Sequence, residues 1–178
     1  MSKSKFVRLH QPKLVDFSKI SPFDDVRIII TASRHKFATD AAPSGTDEMK
    51  EPIFGSKVLI NGEAYTESTF GLPFLSFPQG SKPKITYEMA TRFTTNIHYH
   101  GANVTGDVDG VSSELIFGHS TMLGPVTTVQ FPEITNNQTL LWFHSHIMFI
   151  SIELIAGGIF GVLQITDKIT SSVAAANY

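Results

Sequence analysis

The chain has 178 residues, no cysteine and a formal net charge of −2, with 42% hydrophobic and 17% charged residues. This is enough for one domain with a sizeable core and too little for two of ordinary size. The charge offers no basic field for nucleic acid, and the missing thiols exclude a disulfide framework, a thiolate metal site and a cysteine nucleophile.

Fourteen phenylalanines, with frequent Val, Ile and Thr, favour strands. Residues 1–23 carry Pro12 and Pro22 without a sustained period and read as an N-terminal arm or first edge element. Met1 to Arg8 is positively charged but no apolar stretch follows it, so no secretory signal is read there; an extracellular or cell-surface location would need a different start. A single domain is expected over 24–167. Its first convincing strand is Asp25 to Thr31, with Val26, Ile28 and Ile30 on one face. The stretch 32–56, which includes Ala41-Ala42-Pro43-Ser44-Gly45, has the composition of a long loop, and such loops usually serve function or interaction.

Lys57 to Ile60 reads as a short strand ended by the turn dipeptide Asn61-Gly62. Phe74 to Phe77 precedes the turn Pro78-Gln79-Gly80, and Pro83 to Met89 alternates as a half-buried strand does. Phe93 to His100 is a further strand, followed by a loop rich in Gly, Asp and Ser over Gly101 to Ser113. Val126 to Phe131 is closed by Pro132, and Asn136-Asn137 turns the chain into a strand from Thr139 to His146. Ile147 to Ile155 suggests a short helix, Gly158 to Thr166 the last strand, and 168–178 a small-residue tail. Ile147 to Ile165 is apolar enough to suggest a membrane span. Glu153, Gln164 and Gly157-Gly158 interrupt it, so a helical turn and a core strand are expected, with no membrane span. Short strands separated by turn signals argue for an all-β sandwich or barrel.

Four of the seven histidines stand in two His-x-His pairs, Thr95-Asn96-Ile97-His98-Tyr99-His100-Gly101 and Leu141-Trp142-Phe143-His144-Ser145-His146. Residues two apart on a strand share a face, roughly 6.5 Å apart, so each pair presents two imidazoles together. Adjacent strands would gather all four. Imidazole suits copper, zinc, iron or nickel, and a set without thiolate or carboxylate leans towards copper. One such pair is more often half-exposed or hydrogen-bonded in a core; two in this context favour metal ligation, with a four-histidine zinc site as the lesser alternative. His10, His35 and His119 are singletons and read as surface or structural residues. Trp142 reads as core packing for the strand; Met148 and Met122 are candidate soft copper contacts, with core packing the favoured reading for Met148 and loop for Met122.

With these motifs in view, the chain resembles the first cupredoxin domain of the multicopper oxidases, in particular the laccase-like bacterial spore-coat type. The resemblance covers roughly 57–167. It rests on Asn61-Gly62, Gly80 ahead of Ile85-Thr86-Tyr87, Thr94 to Gly101, Asp109-Gly110, Leu141 to His146 and the Gly-rich closing strand Gly158 to Asp167. It implies a Greek-key, cupredoxin-like β-sandwich. It implies His98 as ligand for a type 2 copper and His100, His144 and His146 as ligands for paired type 3 coppers of a trinuclear, oxygen-reducing cluster. It also implies Asp109 as a carboxylate that helps deliver protons; a plain turn residue before Gly110 is the competing reading.

In that family a later domain supplies the remaining histidines and the cysteine of the type 1 copper, and the present sequence has neither. Two readings follow. The chain is half of a laccase-like oxidoreductase, inactive alone and completed by a complementing cupredoxin chain. Alternatively, it is a non-catalytic cupredoxin module that binds metal or assembles as a homo-oligomer through surfaces a sister domain would cover.

Overall fold

The computed structural model describes residues 13–33, 53–90, 95–111 and 126–168. Among the described residues ten strands form two five-stranded sheets packed face to face. The first sheet contains β1 (Leu14–Asp16), β5 (Phe74–Pro78), β10 (Phe160–Thr166), β9 (Thr139–His144) and β7 (His98–His100), in that spatial order. The second runs β4 (Glu63–Ser68), β3 (Ile53–Ile60), β2 (Val26–Ser33), β6 (Lys84–Ala90) and β8 (Val126–Gln130). The chain passes between the sheets repeatedly, which gives the expected Greek-key sandwich. Among the described residues two short helices interrupt it, α1 (Gly106–Asp109) and α2 (Ser151–Ala156).

Alternation along the strands builds the core. Val26, Ile28 and Ile30 of β2 are buried, as are Leu163 and Ile165 of β10, and they meet Leu75, Phe77, Ile85, Tyr87, Tyr99 and Phe143 between the sheets. Aromatic rings run through this layer edge to face: Phe17 on Phe77, Phe77 on Phe131, and Phe131 on Tyr99, with centroids 4.7–5.0 Å apart. Such T-shaped contacts add to the burial energy of the rings.

Several elements differ in extent from their sequence signals. Within the stretch expected as an arm or edge element, Leu14–Asp16 adds in parallel to β5, and Val15 is fully buried. The expected long loop at 32–56 is encroached on from both ends. β2 continues to Ser33, and β3 already begins at Ile53, where Ile53, Phe54 and Ser56 are buried. Residues 34–52 lie outside the described residues. A strand not read from the sequence, β4, follows Asn61-Gly62; both turn residues have positive φ, 53° and 83°, the combination a two-residue type I′ hairpin requires. The loop after His100 holds α1, and the helix expected at Ile147 starts only at Ser151. Among the described residues no helix is long and apolar enough to cross a membrane.

Candidate metal centre

β7 and β9 pair antiparallel with His98 opposite His144, Tyr99 opposite Phe143 and His100 opposite Trp142. Opposed residues share a face, so this register decides the site. Tyr99 and Phe143 point into the core, and His98, His100, Trp142 and His144 stand on the outer face of the same sheet. The rings come together there. His98 lies 5.3 Å from His100, 5.3 Å from His144 and 5.2 Å from His146, centroid to centroid. His144 lies 5.8 Å from His100 and 5.9 Å from His146. β9 ends at His144, so His146 reaches the cluster from the segment beyond the strand rather than by strand alternation.

Two ring orientations are fixed by hydrogen bonds. His98 Nδ1 donates to the Asp109 carbonyl at 2.9 Å and also lies 3.1 Å from Asp109 Oδ1. His144 Nδ1 donates to the Ser145 carbonyl at 2.7 Å. A carbonyl only accepts, so both rings carry their proton on Nδ1 and present a bare Nε2. The His144 Nε2 is buried without a hydrogen-bond partner. An orphan acceptor of this kind is costly in a folded protein, and a metal ion is the partner its lone pair suits. Burial lowers the pKa of His144, the three neighbouring imidazoles lower it further, and the bond to Ser145 only partly opposes them. The ring is therefore held neutral, the state a ligand needs. Together with the all-imidazole donor set, these features fit copper.

A second layer of residues ties the two histidine segments together, and sequence reading assigned it no part. Asn96 is buried; its Oδ1 accepts from His146 N–H at 2.8 Å, and its Nδ2 donates to the carbonyls of Gly110 at 2.6 Å and His146 at 3.2 Å. Thr95 Oγ1 donates to Ser145 Oγ at 2.9 Å, with both side chains buried. The signal available was the position of Asn96 two residues before His98, but its partners are distant in sequence.

Trp142 departs from its expected core role. It is 39% exposed and stacks on His144 at 3.9 Å and on His100 at 5.6 Å. Met148, also expected in the core, is exposed. With His146, Ile147, Phe149, Ser151 and Ile152 it lines a groove of about 280 Å³ beside the cluster. Asp109 sits at the end of α1, against His98. His10, His35, His119 and Met122 lie outside the described residues.

Comparison with known proteins bears on the family and the fold. Residues 58–169 match the family model described as multicopper oxidase. The multicopper oxidase of Staphylococcus haemolyticus is 29% identical over 134 residues, 75% of this chain and 27% of that protein. Its counterpart from Staphylococcus aureus is 28% identical over 133 residues, with the same shares. The chain thus spans about a quarter of the length of these relatives. Among solved structures, a multi-copper oxidase from Pediococcus acidilactici superimposes with a TM-score of 0.58 at 17% identity, over 97% of this chain and 32% of the other. A laccase-like multi-copper oxidase from Ochrobactrum sp. gives 0.56 at 20% identity, over 94% and 31%. With well over half of its length matched by the family model and its sandwich shared with these structures, this chain belongs to the multicopper oxidase family, as a cupredoxin-type domain.

Proposed function

We propose that the domain supplies half of a trinuclear, oxygen-reducing copper site in a laccase-like oxidoreductase, the rest coming from a complementing cupredoxin domain. The observation that carries this reading is the convergence of four imidazoles on one sheet face with the His144 Nε2 left bare and buried. His98 would serve a type 2 position and His100, His144 and His146 type 3 positions. Copper held there supplies one-electron redox chemistry, coupling oxidation of a phenol or a reduced metal ion to reduction of oxygen to water. The protein's own part is to orient the imidazoles, His98 through Asp109 and His144 through Ser145, and to keep a proton source at hand. Asp109 would be that source: its Oδ1 lies 3.1 Å from His98 Nδ1 and is part-exposed, which supports the role, since oxygen reduction consumes one proton per electron.

The chain contains no cysteine, so a type 1 centre has to come from elsewhere. Support for a partner on this face comes from the groove beside His146, where Phe149 is 91% and Ile152 81% exposed; apolar patches rimmed by polar residues mark interaction sites. The test is turnover. Purified chain with copper and a phenolic dye should be inactive, and activity should appear when a Cys-bearing cupredoxin domain from a relative is added. The same patch also favours the second reading, a self-assembling, non-catalytic module. Sedimentation separates the two: oligomers without turnover in any mixture support the module.

A further inference from the structure

The end of the sandwich away from the histidines carries a projecting aromatic ring beside a pocket. His144 pairs with Phe160 at the start of β10, whereas the turn after β5 lies at the other end, where Pro78 pairs with Thr166. The seven residues of β10 separate the two, about 20 Å. At that far end Phe17, Ile20, Val26 and Pro83 give an apolar lining to a pocket of about 250 Å³, and Lys82 and Lys84 stand exposed at its rim. An apolar cavity of roughly 150 Å³ already accepts a benzene ring, so there is room for one phenyl group. Neither lysine has an ion-pair partner among the described residues.

Beside the pocket, residues 21–24 form a tight turn. The Ser21 carbonyl accepts from Asp24 N–H at 3.0 Å, and Ser21 Oγ accepts from Phe23 N–H at 3.3 Å. Pro22 supplies the fixed φ that the second position of such a turn favours. Asp24 also borders the pocket, but its carboxylate is taken by Ser21 N–H and Asn61 Nδ2, both at 2.8 Å. This turn holds Phe23 outward, 95% exposed. A single exposed apolar side chain is ordinary; one mounted on a hydrogen-bonded turn has less freedom to lose when it is buried. Asp25 follows, half-exposed, with only a 3.5 Å surface pair to Arg27.

We infer that two copies of the chain associate across a two-fold axis at this end, each placing Phe23 in the pocket of the other, with Asp24 and Asp25 against Lys82 and Lys84. A two-fold contact uses the same patch on both copies and needs it to complement itself. This patch does: an aromatic knob with acidic neighbours lies next to an apolar hole with a basic rim. The charge match singles out a second copy as the occupant, since one symmetric contact fills both holes and pairs both rims. The association needs neither copper nor turnover and uses a surface remote from the histidines.

The experiment is sedimentation of the purified 178-residue chain over a range of concentrations. Two buried rings of about 150–250 Å² each place the contact among small, transient interfaces, so a dimer Kd on the order of 10–100 μM is expected. Phe23→Ser, a change at an exposed side chain, should raise that Kd on the order of 30-fold, as loss of an aromatic anchor does. Lys82→Glu with Lys84→Glu keeps the knob and reverses the rim; it should raise the Kd about tenfold. Circular dichroism melts matching the parent confirm that both variants are folded. A chain still monomeric at about 1 mM would overturn the inference. So would a dimer that survives Phe23→Ser, or one lost in Phe149→Ser instead, which would assign the association to the groove beside His146. Monomeric chain that binds a Cys-bearing cupredoxin domain through Phe23 would overturn it too, by giving the pocket to that partner. Failure of the oxidase reading is a separate result: no partner domain brings turnover, whether or not the chain dimerises.

Discussion

Trp142 lies face to face with His144, ring centroids 3.9 Å apart and planes 22° from parallel. The indole covers one side of the imidazole whose Nε2 is bare, and it extends over His100 as well. It is also the only tryptophan in the chain, so its emission reports on this site alone. Copper(II) should quench that emission in step with binding, and zinc(II), which has no redox chemistry or unpaired electron, should leave most of it. Trp142→Phe keeps an aromatic cover and should bind copper nearly as the parent does. Trp142→Ala frees the His144 ring and should cost about 10–100-fold in affinity, the range for groups that orient a ligand. Unchanged copper affinity in the alanine variant would show that the stack orients nothing.

Asn96 joins what the strands leave apart. Its amide is bonded to both backbone groups of His146 and to the carbonyl of Gly110, the residue after Asp109. Asn96→Ala leaves those buried groups without partners, at about 1–3 kcal/mol. Asn96→Asp keeps the acceptor for His146 N–H but sets a carboxylate oxygen against two carbonyls. Urea denaturation should therefore rank the parent above both variants. If Asn96 positions His146, the variants should also alter the spectrum of copper bound in the partnered assembly. A spectrum identical to the parent's would reduce Asn96 to a fold residue.

The sandwich and the clustering of the two His-x-His pairs were legible because their signals are local. Val26, Ile28 and Ile30 alternate, Asn61-Gly62 has the chemistry of a type I′ turn, and two His-x-His pairs name their own faces. What decided the site was not local. The register that sets His98 against His144 also sets His100 against Trp142, and no periodicity in either segment reveals it. That is why Trp142 reads as core from its apolar neighbours and stands outside it. β4, Glu63–Ser68, was hidden because polar residues fill most of an edge strand with half-exposed positions. Asn96 was silent for a similar reason: a buried amide declares itself only through partners, and those of Asn96 lie up to fifty residues away.

Gly110 holds the Asp109 turn against the histidine face. Its φ is +73°, and a Cβ there would lie 2.2 Å from the Ile97 carbonyl oxygen and 2.8 Å from its carbon, both backbone atoms with little room to move. Gly110→Ala therefore meets two penalties, about 1–3 kcal/mol for the left-handed backbone and a clash that must push the turn outward. Gly62, with φ +83° and open space around it, is the control: Gly62→Ala should show the backbone penalty alone. Thermal melts of the two variants should differ, with Gly110→Ala the less stable. Displacing Asp109 should also loosen the His98 ring and weaken copper binding, while Gly62→Ala leaves binding unchanged.

Tyr87 and Tyr99 share a hydrogen bond of 2.6 Å between hydroxyls inside the core, directly behind the His98 and His100 strand. Burial pushes both pKa values up. The bond to Tyr99 partly restrains Tyr87, while charge repulsion and the same bond raise Tyr99 further. A raised folded-state value means the unfolded chain loses its protons first. The pair's contribution is then complete below the unfolded tyrosine pKa of about 10 and lost as pH climbs above it. Stability measured by urea should accordingly fall above pH ~10, with the Tyr87 and Tyr99 share of the tyrosinate absorbance rising together with unfolding rather than before it. Tyr87→Phe strands the Tyr99 hydroxyl and should cost about 1–3 kcal/mol at neutral pH; Tyr87→Phe with Tyr99→Phe removes both polar groups and should recover most of that loss. The double variant should also show the shallower alkaline slope, because only Tyr65 and Tyr178 remain among the four tyrosines. A slope as steep as the parent's would assign the alkaline loss to other groups, and a double variant as unstable as the single would mean the ring contacts, not the paired hydroxyls, hold this part of the core.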